Sequence, residues 1–161
     1  MAETLGSLVD KVSIKNLRLW HLDEAIEALE SADPQKAELQ AKRDLAARQN
    51  QDLIDEANAF FVLALEGKVK IRDEKLKLYQ NRNVKKSDAI KEMGEAISEL
   101  SVRNIRLWHL EDEARRTDLP AEDIVQVKRK IDATNQERND LMDKVDEIME
   151  QYAAKFSASA K

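Results

Sequence analysis

Residues 15–25 have the sequence KNLRLWHLDEA, and residues 103–113 have the closely similar sequence RNIRLWHLEDE, 88 positions later. The same offset places NQDLID at 50–55 on RNDLMD at 138–143, so the similarity continues well beyond the first segment. A fixed period of this kind indicates an internal repeat, in which each copy is one supersecondary unit. The sequence therefore predicts two copies of a helical hairpin packed face to face.

The composition favours helices and one domain. The chain has 161 residues, of which 42% are hydrophobic and 37% are charged, which is enough to bury a core. It contains three glycines and two prolines, the residues that most often interrupt regular structure, so turns should be few and helices long. We predict an all-α fold, an elongated four-helix bundle made of two pseudo-repeated hairpins.

Apolar residues spaced three and four apart place the four helices within a single domain, 1–161. The first hairpin should cover 2–67, with Asp33 and Pro34 starting its second helix and Gly67 ending it. A basic linker should cover 68–87, and the second hairpin 88–156, with its first helix beginning after Ser87 and Asp88. A linker of this length can run along the whole bundle, so the relative direction of the hairpins stays open.

The linker carries its own charge pattern. Residues 68–86 hold eight basic residues against Asp73 and Glu74. This segment is either a solvated crossover with Leu76, Leu78 and Tyr79 against the bundle, or a patch that binds an anion or an acidic partner. We favour the crossover, because charged connections are ordinary protein surface.

Charge and hydropathy argue against several classes of function. A net charge of −5 gives no basic surface for the phosphates of nucleic acid. No apolar run approaches the roughly 20 residues that a membrane span needs, and the N-terminus does not resemble a signal peptide. The absence of cysteine excludes disulfides and thiolate metal sites. We expect a cytoplasmic protein that does not bind nucleic acid and does not span a membrane.

Several polar residues fall on the core side of the predicted helices, at about 100° per residue. They are Asn16, Asp23, Asn50, Asn104, Glu111 and Arg138, and we group Trp108 and Asn135 with them. Buried charges must pair, so we expect Arg138 to bridge Glu111 or Asp23 while the asparagines complete a network. The network either fixes the register of the helices or binds a ligand, and we favour register. Trp20 and Trp108, beside the inward acids, should anchor the core.

The two histidines lie nearly opposite the apolar stripe of their helices, His21 in one copy and His109 in the other. They share this second face with apolar residues, namely Ile14, Leu17, Val102 and Ile105. A helix that is apolar on two faces should be covered on both sides. The second cover is either the other hairpin or a second chain, so we predict a protein partner or self-association as a homodimer.

An enzyme is the alternative to a binding or scaffolding module. His109 and Asp112 are a weak metal-ligand pair; with Glu111 they would hold a divalent metal, while Arg138 contacts an anionic substrate. Such a protein would be a metal-dependent hydrolase of a nucleotide or nucleotide-sugar. Paired acids at 24 and 27 and at 52 and 55 weakly imitate the magnesium motif of all-α pyrophosphatases. No other cofactor is expected, and no catalytic residue is assigned.

The second copy resembles a known family. Residues 104–152 follow the pattern Trp-His-x-Glu-Asp, then Lys/Arg-Ile-Asp, then Asn-Gln-x-Arg-x-Asp-Leu, which is typical of the bacterial domain-of-unknown-function family 4254. The first copy departs from it, since Asp23 and Glu24 reverse the acid pair and Asn50 replaces Arg138. The resemblance implies a site in the second hairpin and a connection with bacterial surface-polysaccharide synthesis, and it implies no reaction.

Overall fold

The computed structural model describes residues 3–72 and 87–159, and these residues form four helices and no strand. The helices are α1 (Leu5–Glu27), α2 (Pro34–Leu65), α3 (Met93–Ala114) and α4 (Ala121–Ser159). The helices pack together as a bundle, α1 against α2 and α3 against α4. The predicted all-α four-helix bundle is therefore confirmed.

Local sequence signals explain three of the helix ends. Thr4 caps α1 by accepting a hydrogen bond from the backbone N–H of Ser7 (3.3 Å), and Asp33 caps α2 by accepting from that of Gln35 (2.8 Å). Gly67 adopts a positive φ of 69° just beyond α2, as a glycine after a helix commonly does. Helix α3 begins at Met93, later than the sequence suggested.

Ser87 is bonded to α4 rather than to the start of α3. Its backbone N–H and its hydroxyl both donate to Oδ2 of Asp140 in α4, at 2.9 and 2.7 Å. The hydroxyl is therefore engaged with another helix and does not cap the one that follows. This contact fixes the end of the connection against the middle of α4.

The main core lies at one end of the bundle and draws on all four helices. Its buried residues are Leu5, Leu8, Phe60, Ala64, Ala96, Val145, Ile148 and Met149. Val69 and Ile71, at the start of the predicted linker, pack against this cluster, and Arg72 lies 3.7 Å from Glu150. The rest of that linker, 73–86, with its predicted charge patch and apolar residues, lies outside the described residues.

The two hairpins point the same way. Leu8 shares a core cluster with Ala96, Asp10 bonds to Asn104, and the ring of His21 stacks on that of Trp108. These contacts advance in the same direction along α1 and α3, so the two helices run parallel. Parallel hairpins settle the question that the linker length left open.

The start of α1 lies directly on the backbone of α4. The backbone N–H of Gly6 donates to Oδ1 of Asp146 at 2.7 Å, which satisfies one of the free donors in the first helical turn. A Cβ atom at Gly6 would stand 2.2 Å from the carbonyl oxygen of Met142, so only glycine permits this approach. The contact brings the next turn of α1, with Asp10, over the second hairpin.

The register of side-chain pairs is the same in both hairpins. Lys15 donates to Gln49 at 2.6 Å in the first, and Arg103 donates to Glu137 at 2.9 Å in the second, 88 positions on in both cases. None of the described helices has a stretch that is both apolar and long enough to span a bilayer.

Candidate functional site

Asp10 of α1 joins the two hairpins through a small polar cluster. Its Oδ1 accepts a hydrogen bond from Nδ2 of Asn104 (3.0 Å) and lies 3.6 Å from Nε of Arg138. Asp10 is buried and Arg138 is partly buried. A buried carboxylate needs such partners, because an unpaired charge away from water is costly.

A pocket of about 220 Å³ opens beside this cluster, between α1 and the second hairpin. Five of the eight predicted network residues line it: Asn104, Trp108, Glu111, Asn135 and Arg138. The apolar part of the wall comes from Ile14 and Leu17 of α1 and Leu107 of α3. The second hairpin, where the family resemblance placed a site, thus supplies the polar lining.

Two atoms of this lining are buried without a hydrogen-bond partner: Oδ1 of Asn104 and Nε of Arg138. The 3.6 Å separation between Nε and Asp10 is close enough for an ion pair and too long for a hydrogen bond. A buried polar atom left unsatisfied costs about 1 to 3 kcal/mol. One acceptor and one cationic donor beside the pocket therefore lack a hydrogen-bond partner within the described residues.

Trp108 forms one side of the pocket and is held by His21. The two rings are stacked, with centroids 4.5 Å apart and an angle of 9° between their planes. Nδ1 of His21 lies 2.9 Å from Oε2 of Glu24, which orients the imidazole. The contact fixes an aromatic side chain between the hairpins, so Trp108 helps to hold the wall rigid.

The rim of the pocket is charged and largely balanced. Arg115 lies 3.0 Å from Asp112 and 3.9 Å from Glu111, and all three side chains are exposed. Salt bridges this exposed contribute little to stability. Together with the Asp10–Arg138 pair, the rim leaves no strong excess of positive charge around the pocket.

The first-copy residues of the predicted network lie elsewhere. Nδ2 of Asn50 donates to Oδ1 of Asn16 (2.9 Å), and Asp23 accepts from Nε of Arg43 (2.9 Å), both between α1 and α2. The expected bridge from Arg138 to Glu111 or Asp23 is not what the described residues form, because α1 presents Asp10 to it instead.

The sequence predicted that Trp20 anchors the core. This prediction is wrong, because Trp20 is 65% exposed. Its counterpart Trp108 is covered by α1 through His21, and no described helix covers Trp20 in the corresponding way. The two tryptophans therefore differ in the packing around them, although the sequences around them are similar.

The candidate metal ligands do not converge. His109 is exposed, and Asp112 is engaged by Arg115. Within 3–72 and 87–159, no group of three or more His, Asp or Glu side chains is arranged to hold a metal ion. The metal-dependent hydrolase therefore gains no geometric support from these residues.

Resolved pKa shifts occur on the surface, away from the pocket. Hydrogen bonds from Lys11 and Ser7 lower the pKa of Glu3 at the start of α1. A hydrogen bond from Arg116 lowers the pKa of Asp118, and the same contact raises that of the guanidinium. None of these groups lines the pocket.

Comparison with protein families gives a clear match. A family described as proteins of unknown function, DUF4254, matches residues 1–72 and 94–161. The chain belongs to this family. The match includes the first hairpin as well as the second, and it omits the segment between residues 72 and 94. No curated protein and no solved structure matches the chain.

Asp10 was not among the residues that the sequence predicted for the polar cluster of this DUF4254 protein. Its counterpart 88 positions on is Ser98, so the repeat gave no signal. A signal did exist in the second face of the first helix, since Asp10 lies one turn before Ile14 on the face that also carries Leu17 and His21. Extending that face by one turn would have placed a carboxylate opposite the second hairpin.

Proposed function

We propose that this protein is a binding module whose pocket between α1 and the second hairpin takes a small sugar-like ligand carrying one anionic group. The observation that carries the proposal is the pair of buried, unpartnered atoms beside the pocket, Nε of Arg138 and Oδ1 of Asn104. A phosphate or carboxylate oxygen would accept from the guanidinium, and a hydroxyl would donate to the amide oxygen.

The size of the pocket limits the ligand. Sites for drug-sized molecules measure roughly 300 to 1,000 Å³, and this pocket measures about 220 Å³. It suits one sugar ring or a molecule of similar size better than a whole dinucleotide. Trp108, Leu17 and Leu107 supply an apolar surface for the carbon face of such a ring.

The charge of the wall limits the ligand further. Asp10 already lies near Arg138, and Glu111 and Asp112 surround Arg115. A polyanion would meet these carboxylates, whereas a single phosphate or carboxylate needs only the guanidinium of Arg138, whose side chain is partly exposed. An anionic sugar therefore fits better than a nucleoside triphosphate.

The family resemblance makes the same class of ligand the first to test. A role in bacterial surface-polysaccharide synthesis would supply sugar phosphates and acidic sugars in the cell. On this proposal the protein acts there by binding, as a cytoplasmic module alone or with a protein partner, and the pocket is the recognition site.

The test is a thermal-shift screen with hexose phosphates, acidic sugars, the matching neutral sugars, inorganic phosphate and nucleotide-sugars. A ligand at 100 times its dissociation constant adds about 2.7 kcal/mol, or roughly 5 to 10 °C in melting temperature for a chain of this size. We expect the anionic sugars to raise the melting temperature and the neutral sugars to have little effect. No shift with any anionic sugar would refute the proposal.

The variant that isolates the site is the double substitution Asp10→Ser with Arg138→Asn. These are the residues that the chain itself carries at the corresponding positions, Ser98 and Asn50. The double change removes the cation without leaving a buried carboxylate unpaired, so folding should persist while binding is lost. Arg129→Asn is the matched control, since Arg129 is exposed on the same helix outside the pocket, and it should bind normally.

The hydrolase alternative has its own arm in the same screen. If a nucleotide or nucleotide-sugar raises the melting temperature only when Mg²⁺ or Mn²⁺ is present, the metal-dependent hydrolase is favoured over the binding module. His109→Ala would then abolish the metal-dependent shift.

A further inference from the structure

We propose that the outer face of α3 docks onto the first hairpin of a second copy of this chain, and that it repeats between molecules the contacts that α1 makes with the second hairpin within one molecule. This inference does not depend on the ligand pocket. It rests on which of the corresponding surfaces are covered and which are not.

The covered surface is a row of five residues along α1, which we call the α1 row. Its members are Gly6, Asp10, Ile14, Leu17 and His21. Gly6 lies against the backbone of α4, Asp10 bonds to Asn104, and His21 stacks on Trp108. Ile14 and Leu17 line the pocket between these contacts. The whole row is thus used to hold the second hairpin.

The corresponding row on α3, 88 positions later, is exposed at every member. This α3 row consists of Gly94, Ser98, Val102, Ile105 and His109. Val102 is 48% exposed and Ile105 is 44% exposed, so two branched apolar side chains face outward. The second hairpin packs against the α1 row. Within the described residues, no helix packs against the α3 row in the same way.

Gly94 is the most informative member of this row. At Gly6, the close approach to the backbone of Met142 explains the presence of glycine. At Gly94, no atom outside its own stretch of helix lies within 4 Å of where a Cβ would be, so no close approach within the described part of the molecule requires glycine there. A second chain that approaches as α4 approaches Gly6 would require it.

The surface that would receive the α3 row includes one large exposed side chain. Trp20 corresponds to Trp108 and is 65% exposed, ready to receive the ring of His109. A large exposed aromatic side chain is the usual anchor of a protein interface. Trp20 and His109 would then form the stacked pair that Trp108 and His21 form within the chain.

The polar groups match in charge as well. Within the chain, the charged Asp10 faces the charged Arg138. Between chains, the neutral Ser98 would face the neutral Asn50, whose Oδ1 is buried and lacks a hydrogen-bond partner. Both partners have changed together, so neither interface would contain an unpaired charge.

The resulting contact is head to tail. Each chain has one α3 row and one receiving surface, and the two are different, so the interface is heterologous and forms either a ring or an open chain. Hairpins stacked in this way would resemble the successive units of a repeat protein.

The test uses the full chain and sedimentation velocity over a range of concentrations. We expect the wild type to sediment above the 18.4 kDa monomer as concentration rises. Ile105→Glu should disable the α3 row and Trp20→Glu the receiving surface, so each variant alone should remain monomeric. Val125→Glu, also on an exposed apolar residue, is the control and should associate like the wild type.

Mixing the two monomeric variants gives the decisive result. Each retains the surface that the other has lost, so an equimolar mixture should form a complex of two chains and no larger species. If the mixture stayed monomeric, or if Trp20→Glu alone still associated through its α3 row, the proposal would be overturned. A wild type that stays monomeric at every concentration would overturn it too.

A second variant separates association from folding. Gly94→Ala meets open space within the described molecule, so its melting temperature should equal or exceed that of the wild type. The added Cβ should nevertheless weaken association, because it blocks the close approach. Unchanged association in Gly94→Ala would contradict the proposed geometry.

Discussion

The imidazole of His21 lies flat on the indole of Trp108, with ring centroids 4.5 Å apart, and this contact ties the first hairpin to the second. The two residues come from different copies of the same Trp-His motif. One motif therefore supplies the histidine and the other supplies the tryptophan. The partners left over, Trp20 and His109, face outward.

His21→Ala should lower stability by about 0.5 to 1.5 kcal/mol, because an aromatic stack contributes that much beyond simple burial. A loss of this size corresponds to roughly 1 to 6 °C in melting temperature. His109→Ala is the matched control at the corresponding exposed position and should leave the melting temperature of the monomer unchanged. Equal losses in the two variants would show that the stack contributes nothing of its own.

Gly6→Ala should destabilise the fold, because its Cβ would stand 2.2 Å from the carbonyl oxygen of Met142. Forcing an extra methyl group into a packed contact costs about 1 to 3 kcal/mol. The loss can be measured by urea unfolding. Gly94→Ala provides the comparison under conditions where the chain is monomeric, and it should be neutral or stabilising. The prediction fails if Gly6→Ala unfolds at the same urea concentration as the wild type.

Asp10→Ser and Arg138→Asn should each destabilise the protein by about 1 to 3 kcal/mol, because each leaves a buried polar partner unsatisfied. The two effects should not add. The double variant should lose less than the sum, with a coupling energy of about 0.5 to 3 kcal/mol, as expected of residues in contact. Additive losses in a double-mutant cycle would mean that the two side chains do not interact.

The contacts of Glu3 at the start of α1 should make the stability of the protein depend on pH. Hydrogen bonds from Lys11 and Ser7 lower the pKa of Glu3 in the folded state, so the carboxylate stabilises the fold at neutral pH. The stabilisation is present above the ordinary pKa of glutamate and is lost as the pH falls through the lowered value. Melting temperatures from pH 7 to pH 3 should therefore converge for the wild type and Glu3→Gln. Lys11→Met should lose part of the same stabilisation, and a constant gap between wild type and Glu3→Gln would exclude this origin.

Helical periodicity predicted the fold and part of the site for identifiable reasons. Asn104 and Arg138 fall on the core side at 100° per residue, and both line the pocket. Glu111 was assigned to the same side but lies at an exposed rim, because long side chains at the edge of a stripe can turn toward water.

Other features of the site depend on how the two hairpins pack against each other. The sequence of one hairpin alone does not determine that packing. Asp10 reaches Asn104 and Arg138 beside the pocket because Gly6 lets α1 lie on α4. Trp20 and Trp108 have nearly identical neighbours in sequence, yet one is exposed and the other is stacked. The parallel direction of the hairpins decides which copy is covered, and the sequence left that direction open.

The contacts of Arg72 with Glu150 and of Ser87 with Asp140 attach both ends of the intervening stretch to α4. Ten residues of helix separate the two attachment points, or about 15 Å along its axis. The hairpins also meet through the shared core, the hydrogen bonds of Gly6 to Asp146 and of Asn104 to Asp10, and the stack of His21 on Trp108, none of which involves the connecting segment. A peptide bond cut between residues 72 and 87 should leave two fragments that stay together and refold from a mixture into one particle.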